Sequence, residues 1–141
     1  MTVKAILRDH IMQSEGIRLK PYMDTAIPPR LTIGYGRNLT DRGISAQEAG
    51  VLLDNDIEHV VRQCETAFAW FPALDPIRQA CVAELVFNNG LEGFIGFHHT
   101  IAALACGDYD TAADQLQDSH WFRQVKSRGP RLVNMLRTGL A

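Results

Sequence analysis

The sequence predicts an α+β fold, mostly α, with a small antiparallel β-hairpin lobe and a larger helical lobe. Three observations predict it. Apolar residues recur at three- and four-residue spacing over residues 3–14, and helix signals return from residue 45 onward. Between them, residues 16–40 carry short β-rich runs broken by glycine and proline. No repeat, low-complexity tract or linker interrupts the 141 residues, so one domain over 1–141 is expected, with its β-rich lobe at about 16–44 and helical parts at 1–15 and 45–141.

Val3, Ile6, Leu7, His10, Ile11 and Ser14 share one helical face, so residues 3–14 read as a short amphipathic helix. Gly16 is a natural stop, because glycine adopts the left-handed conformation of a helix end. That places Glu15 at the close of the helix. Ile17 to Tyr22 alternates apolar and basic side chains, and Pro21 limits it to an edge or a strand end. Ile27-Pro28-Pro29-Arg30 must be a loop, and Leu31 to Gly36 is a second β-rich run. Residues 16–40 therefore form a small antiparallel sheet.

Ser45-Ala46-Gln47-Glu48 is a capping box that opens a helix. Asp75-Pro76 opens the next, which runs through Ile77, Ala80, Cys81, Leu85 and Val86 to Gly90 and is apolar enough to be the central buried one. Gly107 separates two further helices, and Pro130 lies near the start of the last.

Composition is that of a globular protein, 46% apolar and 21% charged, which excludes disorder, collagen and coiled coil. No apolar run approaches the roughly 18 residues of a membrane span, and the first ten residues show no secretory pattern. A soluble protein made in the cytoplasm is expected. Cys64, Cys81 and Cys106 are odd in number, widely spaced and set in apolar helical sequence, so they read as buried thiols. Net charge is -2, unevenly spread: +3 over residues 1–40, -10 over 41–118 and +5 over 119–141. A basic C-terminal segment folded onto the basic N-terminal one would make a positive face for an anionic polymer, and a solvated charge pattern fits as well. The basic tail is too short and too interleaved with apolar residues for a nucleic-acid arm.

Four residue sets carry candidate chemistry. Glycoside hydrolysis needs one protonated carboxyl and one ionised carboxylate, and Glu15 at a helix end with Asp24 in a hairpin supplies such a pair. On spacing alone two surface charges fit equally. In Thr32-Ile33-Gly34-Tyr35-Gly36 the glycines fit either a bulged hairpin or a backbone against which something packs. His10, His59, His98, His99 and His120 show no i,i+4 metal spacing and read as structural or solvent-facing, so no metal is expected. Ser14 and Ser119 lie in no nucleophile elbow and are set aside.

Taken in order, the pieces resemble the phage-type lysozymes, the T-even and lambdoid endolysin family of glycoside hydrolases. The resemblance runs through Glu15-Gly16-Ile17-Arg18-Leu19-Lys20-Pro21-Tyr22-Met23-Asp24 and Leu31-Thr32-Ile33-Gly34-Tyr35-Gly36. It continues in Val86-Phe87-Asn88-Asn89-Gly90, Gly96-Phe97, Ser119-His120-Trp121-Phe122 and Arg137-Thr138-Gly139. The segment between Asp24 and Thr32 is longer than the family's, through Ile27-Pro28-Pro29-Arg30, and Arg37 stands where some relatives have histidine.

The resemblance implies a lysozyme-like fold and a muramidase that cuts the β-1,4 bond between N-acetylmuramic acid and N-acetylglucosamine in bacterial peptidoglycan. Glu15 becomes the proton donor, Asp24 the carboxylate that activates water, and Thr32 the hydroxyl that holds it, with inversion at the anomeric carbon. Asn38, Phe87, Thr100 and Gln115 become saccharide contacts, and Arg128 is expected beside Glu15. An acid working near neutrality requires partial burial of Glu15. The implied protein is a monomer with no cofactor, no nucleic-acid partner and a separate holin for export from the host cytoplasm. A non-catalytic peptidoglycan-binding homologue and a lytic transglycosylase are the competing readings.

Overall fold

Helix α1, Val3–Glu15, starts where the Thr2 hydroxyl accepts the Ala5 N–H at 3.3 Å. It ends at Gly16, whose φ of 65° turns the chain into the sheet. These details come from a computed structural model that describes all 141 residues. The chain divides into two compact units, Met1–Val51 and Leu52–Ala141. Helix α1 therefore belongs with the sheet. Its helical period is as expected, but the helix buries none of its residues, and Val3, Ile6, Leu7 and Ile11 are exposed.

Strands β1 (Arg18–Met23), β2 (Leu31–Gly34) and β3 (Arg37–Asn38) form one antiparallel sheet in the order β1-β2-β3. Pro21 has no N–H to give a ladder, and it sits on the edge strand where the register slips between Arg18 and Tyr22. Beyond the slip, Tyr22 faces Thr32 and Met23 faces Leu31. Across the other side of β2, Thr32 faces Asn38 and Ile33 faces Arg37. A short helix α2, Leu39–Arg42, follows. The predicted capping box is present: Ser45 Oγ accepts the Glu48 N–H at 3.1 Å, and Glu48 Oε2 accepts the Ser45 N–H at 2.8 Å. It opens helix α3, Ala46–Ala67.

The second unit holds the hydrophobic core. After a 3-10 turn at Phe71–Ala73, Asp75 caps helix α4, Pro76–Ile95, with proline in its first turn. Gly90, at φ 72° and ψ 161°, breaks α4 where the sequence places the end of the central helix, and helical structure then resumes to Ile95. Helices α5 (His98–Ala105), α6 (Tyr109–Gln117), α7 (His120–Gln124) and α8 (Arg128–Thr138) complete the unit. Leu85, Phe94, Leu104, Leu116, Leu132 and Leu136 are fully enclosed, and removal of any such side chain leaves a cavity worth roughly 2–5 kcal/mol. Arg78 locks α4 to the end of α8: its guanidinium donates to the Leu136 and Arg137 carbonyls at 2.6 and 2.9 Å and stacks 3.8 Å from the Tyr109 ring centroid.

One expectation needs correction. Cys64 and Cys81 are buried, but Cys106 is exposed, because it caps the C-terminus of α5 just before Gly107 rather than lying on that helix's inner face. In the basic C-terminal segment Arg131 pairs with Glu84 at 2.6 Å, and Arg137 pairs with Asp114 at 2.6 Å and Asp110 at 3.4 Å, so two of its five basic residues meet acidic partners. No helix is long and apolar enough to cross a membrane.

Candidate functional site

Glu15, Asp24 and Thr32 all lie in the first unit. Glu15 is exposed, not partly buried as expected, since α1 contributes nothing to a core. Its carboxyl nevertheless has a wall. The Gly34-Tyr35-Gly36 turn brings Gly36 beside it: a Cβ at position 36 would stand 3.5 Å from Glu15 Oε2 and 3.6 Å from its Cδ. Gly36 also has φ 79°, a conformation that other residues adopt only with strain. The positive φ is what favours glycine here, while a Cβ would make only ordinary contact with the Glu15 carboxyl.

Asp24 stands just past β1 and closes the hairpin loop. Its Oδ1 accepts N–H groups from Ala26 at 3.0 Å and Arg30 at 2.8 Å, while its own N–H donates to the Arg30 carbonyl at 2.9 Å. The longer loop is thus tied down by the aspartate itself, and Oδ2 takes no part in that closure. Thr32 is 4% exposed, so its hydroxyl needs a partner, and it donates to the Arg30 carbonyl at 3.1 Å. Tyr22 and Thr32 are cross-strand partners on one face of the sheet, and Asp24 follows Tyr22 by two residues, just past the strand's end. Asn38, opposite Thr32, belongs to that face too. Its side chain caps α2, with Oδ1 accepting the Asp41 N–H at 3.0 Å and Nδ2 donating to Asp41 Oδ2 at 2.8 Å.

Arg37 adds a feature that its sequence position does not reveal. Its guanidinium forks onto Glu48, with Nη1 2.7 Å from Oε2 and Nη2 on Oε1, and Nη1 also donates to the Gly43 carbonyl at 3.2 Å. Arg37 and the Ser45 N–H hold the Glu48 carboxyl down to about 2, and the same pairing raises the Arg37 guanidinium. The capping box identifies Glu48 as a helix starter, and nothing in local spacing joins it to Arg37.

The remaining predicted contacts lie in the second unit and do not converge. Phe87, half exposed on α4, lines an apolar cavity of about 650 Å³ with Ile57 and Val60 of α3. Arg128 borders the same cavity and donates to Asn88 Oδ1 at 2.9 Å. Thr100 and Gln115 share a different hollow of about 320 Å³ with His98, His99 and His120. Three of the five histidines thus gather there, although adjacent residues at the start of α5 and a third on α7 show no common spacing. Ser119 lines it as well, and its hydroxyl caps α7 by accepting the Phe122 N–H at 3.1 Å, a structural task.

Comparison with known proteins bears on the whole chain. The phage lysozyme family model matches residues 12–137, from within α1 to the last turn of α8. The chain belongs to the phage lysozyme family. A lysozyme-like role and the mostly helical lysozyme-like fold go with that membership. This family member is 26% identical over 94% of its length to the pre-baseplate central spike protein Gp5 of Enterobacteria phage T4, and it spans 28% of that longer protein. It is 22% and 24% identical to probable T4-type lysozymes 1 and 2 of Dictyostelium discoideum, with 94% of each chain covered.

Proposed function

We propose that this family member is a muramidase that hydrolyses the β-1,4 bond between N-acetylmuramic acid and N-acetylglucosamine of bacterial peptidoglycan, in phage-mediated host lysis. The observation that carries the reading is the bond between the Thr32 hydroxyl and the Arg30 carbonyl. With its only proton directed there, Thr32 Oγ is left as an acceptor. A water beside it gives one hydrogen to Oγ and the other to Asp24, and turns its lone pair to the anomeric carbon. Glu15 donates its proton to the leaving oxygen as the glycosidic bond breaks, Asp24 takes the water's proton, and the hydroxyl adds to the sugar. Water placed between sugar and carboxylate gives inversion, which goes with carboxyl groups roughly 6.5–9.5 Å apart. Asn38, Phe87, Thr100 and Gln115 contact the glycan in this reading.

The chemistry is proton transfer between carboxyls and water, so it calls for no cofactor or metal. The protein acts as a single-domain monomer, is made in the host cytoplasm and reaches the wall with a separate holin. The test is digestion of purified peptidoglycan, with mass analysis of the fragments and the anomer of fresh product followed before mutarotation. Reducing muramic acid ends, an initial α anomer and loss of release in Glu15→Gln are expected. An initial β anomer overturns inversion, and anhydro ends make the protein a transglycosylase. Binding to the wall without release of fragments makes it a binding module.

A further inference from the structure

We infer that Arg37, held by Glu48, is a positioning residue for the acid: it fixes the Gly36 wall against the Glu15 carboxyl. The inference rests on the proposed role of Glu15 and adds a residue that no spacing argument reaches. Gly36 lies in a turn with no side chain of its own to anchor it, yet it neighbours the group that must hold and give a proton: a Cβ built on it would meet Glu15 Oε2 at 3.5 Å. On one side the turn is anchored by the β2–β3 ladder, where Ile33 pairs with Arg37. That ladder is short, since β3 is only two residues long. On the other side the anchor is the Arg37 side chain, which immediately follows Gly36 and makes three hydrogen bonds to Gly43 and Glu48.

The far end of this clamp is itself rigid. Glu48 sits in the first turn of α3, and its Oε2 receives the Ser45 N–H as well as Arg37 Nη1. The path therefore runs from the helix start through a two-pronged guanidinium–carboxylate pair to β3, and from β3 to the wall beside Glu15. Planar pairing of this kind transmits orientation, which a single-point lysine contact does not. The pair is also neutral overall, so it orients the wall without leaving an uncompensated charge beside the acid. Its side chains are 25% and 41% exposed, and ion pairs this open add little to global stability. The effect belongs in catalysis.

The experiment compares Arg37→Met, Arg37→Lys, Glu48→Gln and the exchanged pair Arg37→Glu with Glu48→Arg, each checked for fold by circular dichroism, in steady-state hydrolysis of a defined peptidoglycan oligosaccharide. Loss of the clamp is expected to lower kcat by roughly ten- to a hundredfold, the scale of a displaced reacting group, with KM changed less than about twofold. The exchanged pair should recover kcat above either of its single variants, and Lys should recover less than wild type because it cannot fork. Unchanged kcat in folded Arg37→Met and Glu48→Gln overturns the inference, as does equal loss in the exchanged pair and both singles. If Arg37→Met fails to fold, Arg37→Lys and Glu48→Gln decide. Failure of the underlying reading looks different: Glu15→Gln itself would then retain activity.

Discussion

Asp24 and Arg30 hold each other twice. The Asp24 N–H donates to the Arg30 carbonyl at 2.9 Å, and the Arg30 N–H donates to Asp24 Oδ1 at 2.8 Å. One residue thus closes a proline-containing loop and presents a second carboxylate oxygen, so its structural part and its proposed catalytic part are separable. Asparagine keeps the Oδ1 acceptor but cannot take a proton from water. Asp24→Asn should therefore retain stability and lose activity. Asp24→Ala should lose activity and also stability, by about 1 kcal/mol for each of the two lost side-chain hydrogen bonds. Denaturant midpoints and peptidoglycan turnover on the two variants check this, and an active Asp24→Asn would reduce Asp24 to a loop residue.

Glu48 should contribute a small acid-sensitive part of the first unit's stability, discounted for its exposure, in a defined window. Its carboxyl is held at about 2, below the ordinary 4.5, so the folded state binds its proton less readily than the unfolded chain. For a depressed carboxylate the stabilisation is present above the unfolded value and is lost as pH falls through the folded one. Stability should therefore be level above about pH 5 and decline from 4.5 towards 2. Glu48→Gln should flatten that decline. Thermal melts of both proteins across this range provide the measurement, and an identical pH slope in the two would remove Glu48 as the cause.

The three thiols should react in two classes. Burial pushes Cys64 up to about 11 and Cys81 up to about 12, with Glu65 and Glu84 adding to the respective rise. Both are enclosed, whereas Cys106 is exposed at the end of α5. A thiol reagent at pH 8 should label one cysteine in the native protein and three in denaturant, and Cys106→Ser should abolish the native signal. Rapid native labelling of Cys64 or Cys81 would show that the core opens on the reagent's timescale.

Gly129 is a packing glycine. A Cβ there would meet Phe122 Cδ2 at 2.7 Å and Cε2 at 2.9 Å, closer than real contacts permit. Gly129→Ala should cost about 1–3 kcal/mol by overpacking, measured by denaturation. Phe122→Leu in the same chain should recover part of that loss, since the clash is with the aromatic ring. An additive double variant would place the strain elsewhere.

Much of the fold was legible because its signals are local. Gly16, the Ser45–Glu48 box, Asp75-Pro76 and Gly90 each act on backbone groups within a few residues, so composition at those points dictates where helices start and stop. The first two strands follow from the same kind of signal, with Pro21 placed on the edge as its missing N–H requires, whereas β3 at Arg37–Asn38 carries none. The candidate site was legible only as residue types. Glu15, Asp24 and Thr32 stood out by resemblance, whereas the bonds that would make them work together are set by register and loop closure.

By itself the sequence determined the α+β class, the order and ends of most elements, and membership in the phage lysozyme family, because each depends on patterns read along the chain. Tertiary structure alone decided the rest. It joined Arg37 to Glu48, set Gly36 against Glu15, and gathered His98, His99 and His120 around Thr100 and Gln115. It also left the apolar stripe of α1 exposed and paired Arg131 and Arg137 of the basic C-terminal segment with acidic residues from α4 and α6. The reason is the same in each case. Helical period and capping are properties of neighbours in sequence, while ion pairs, packing and exposure depend on which distant residues the folded backbone brings within a few ångströms.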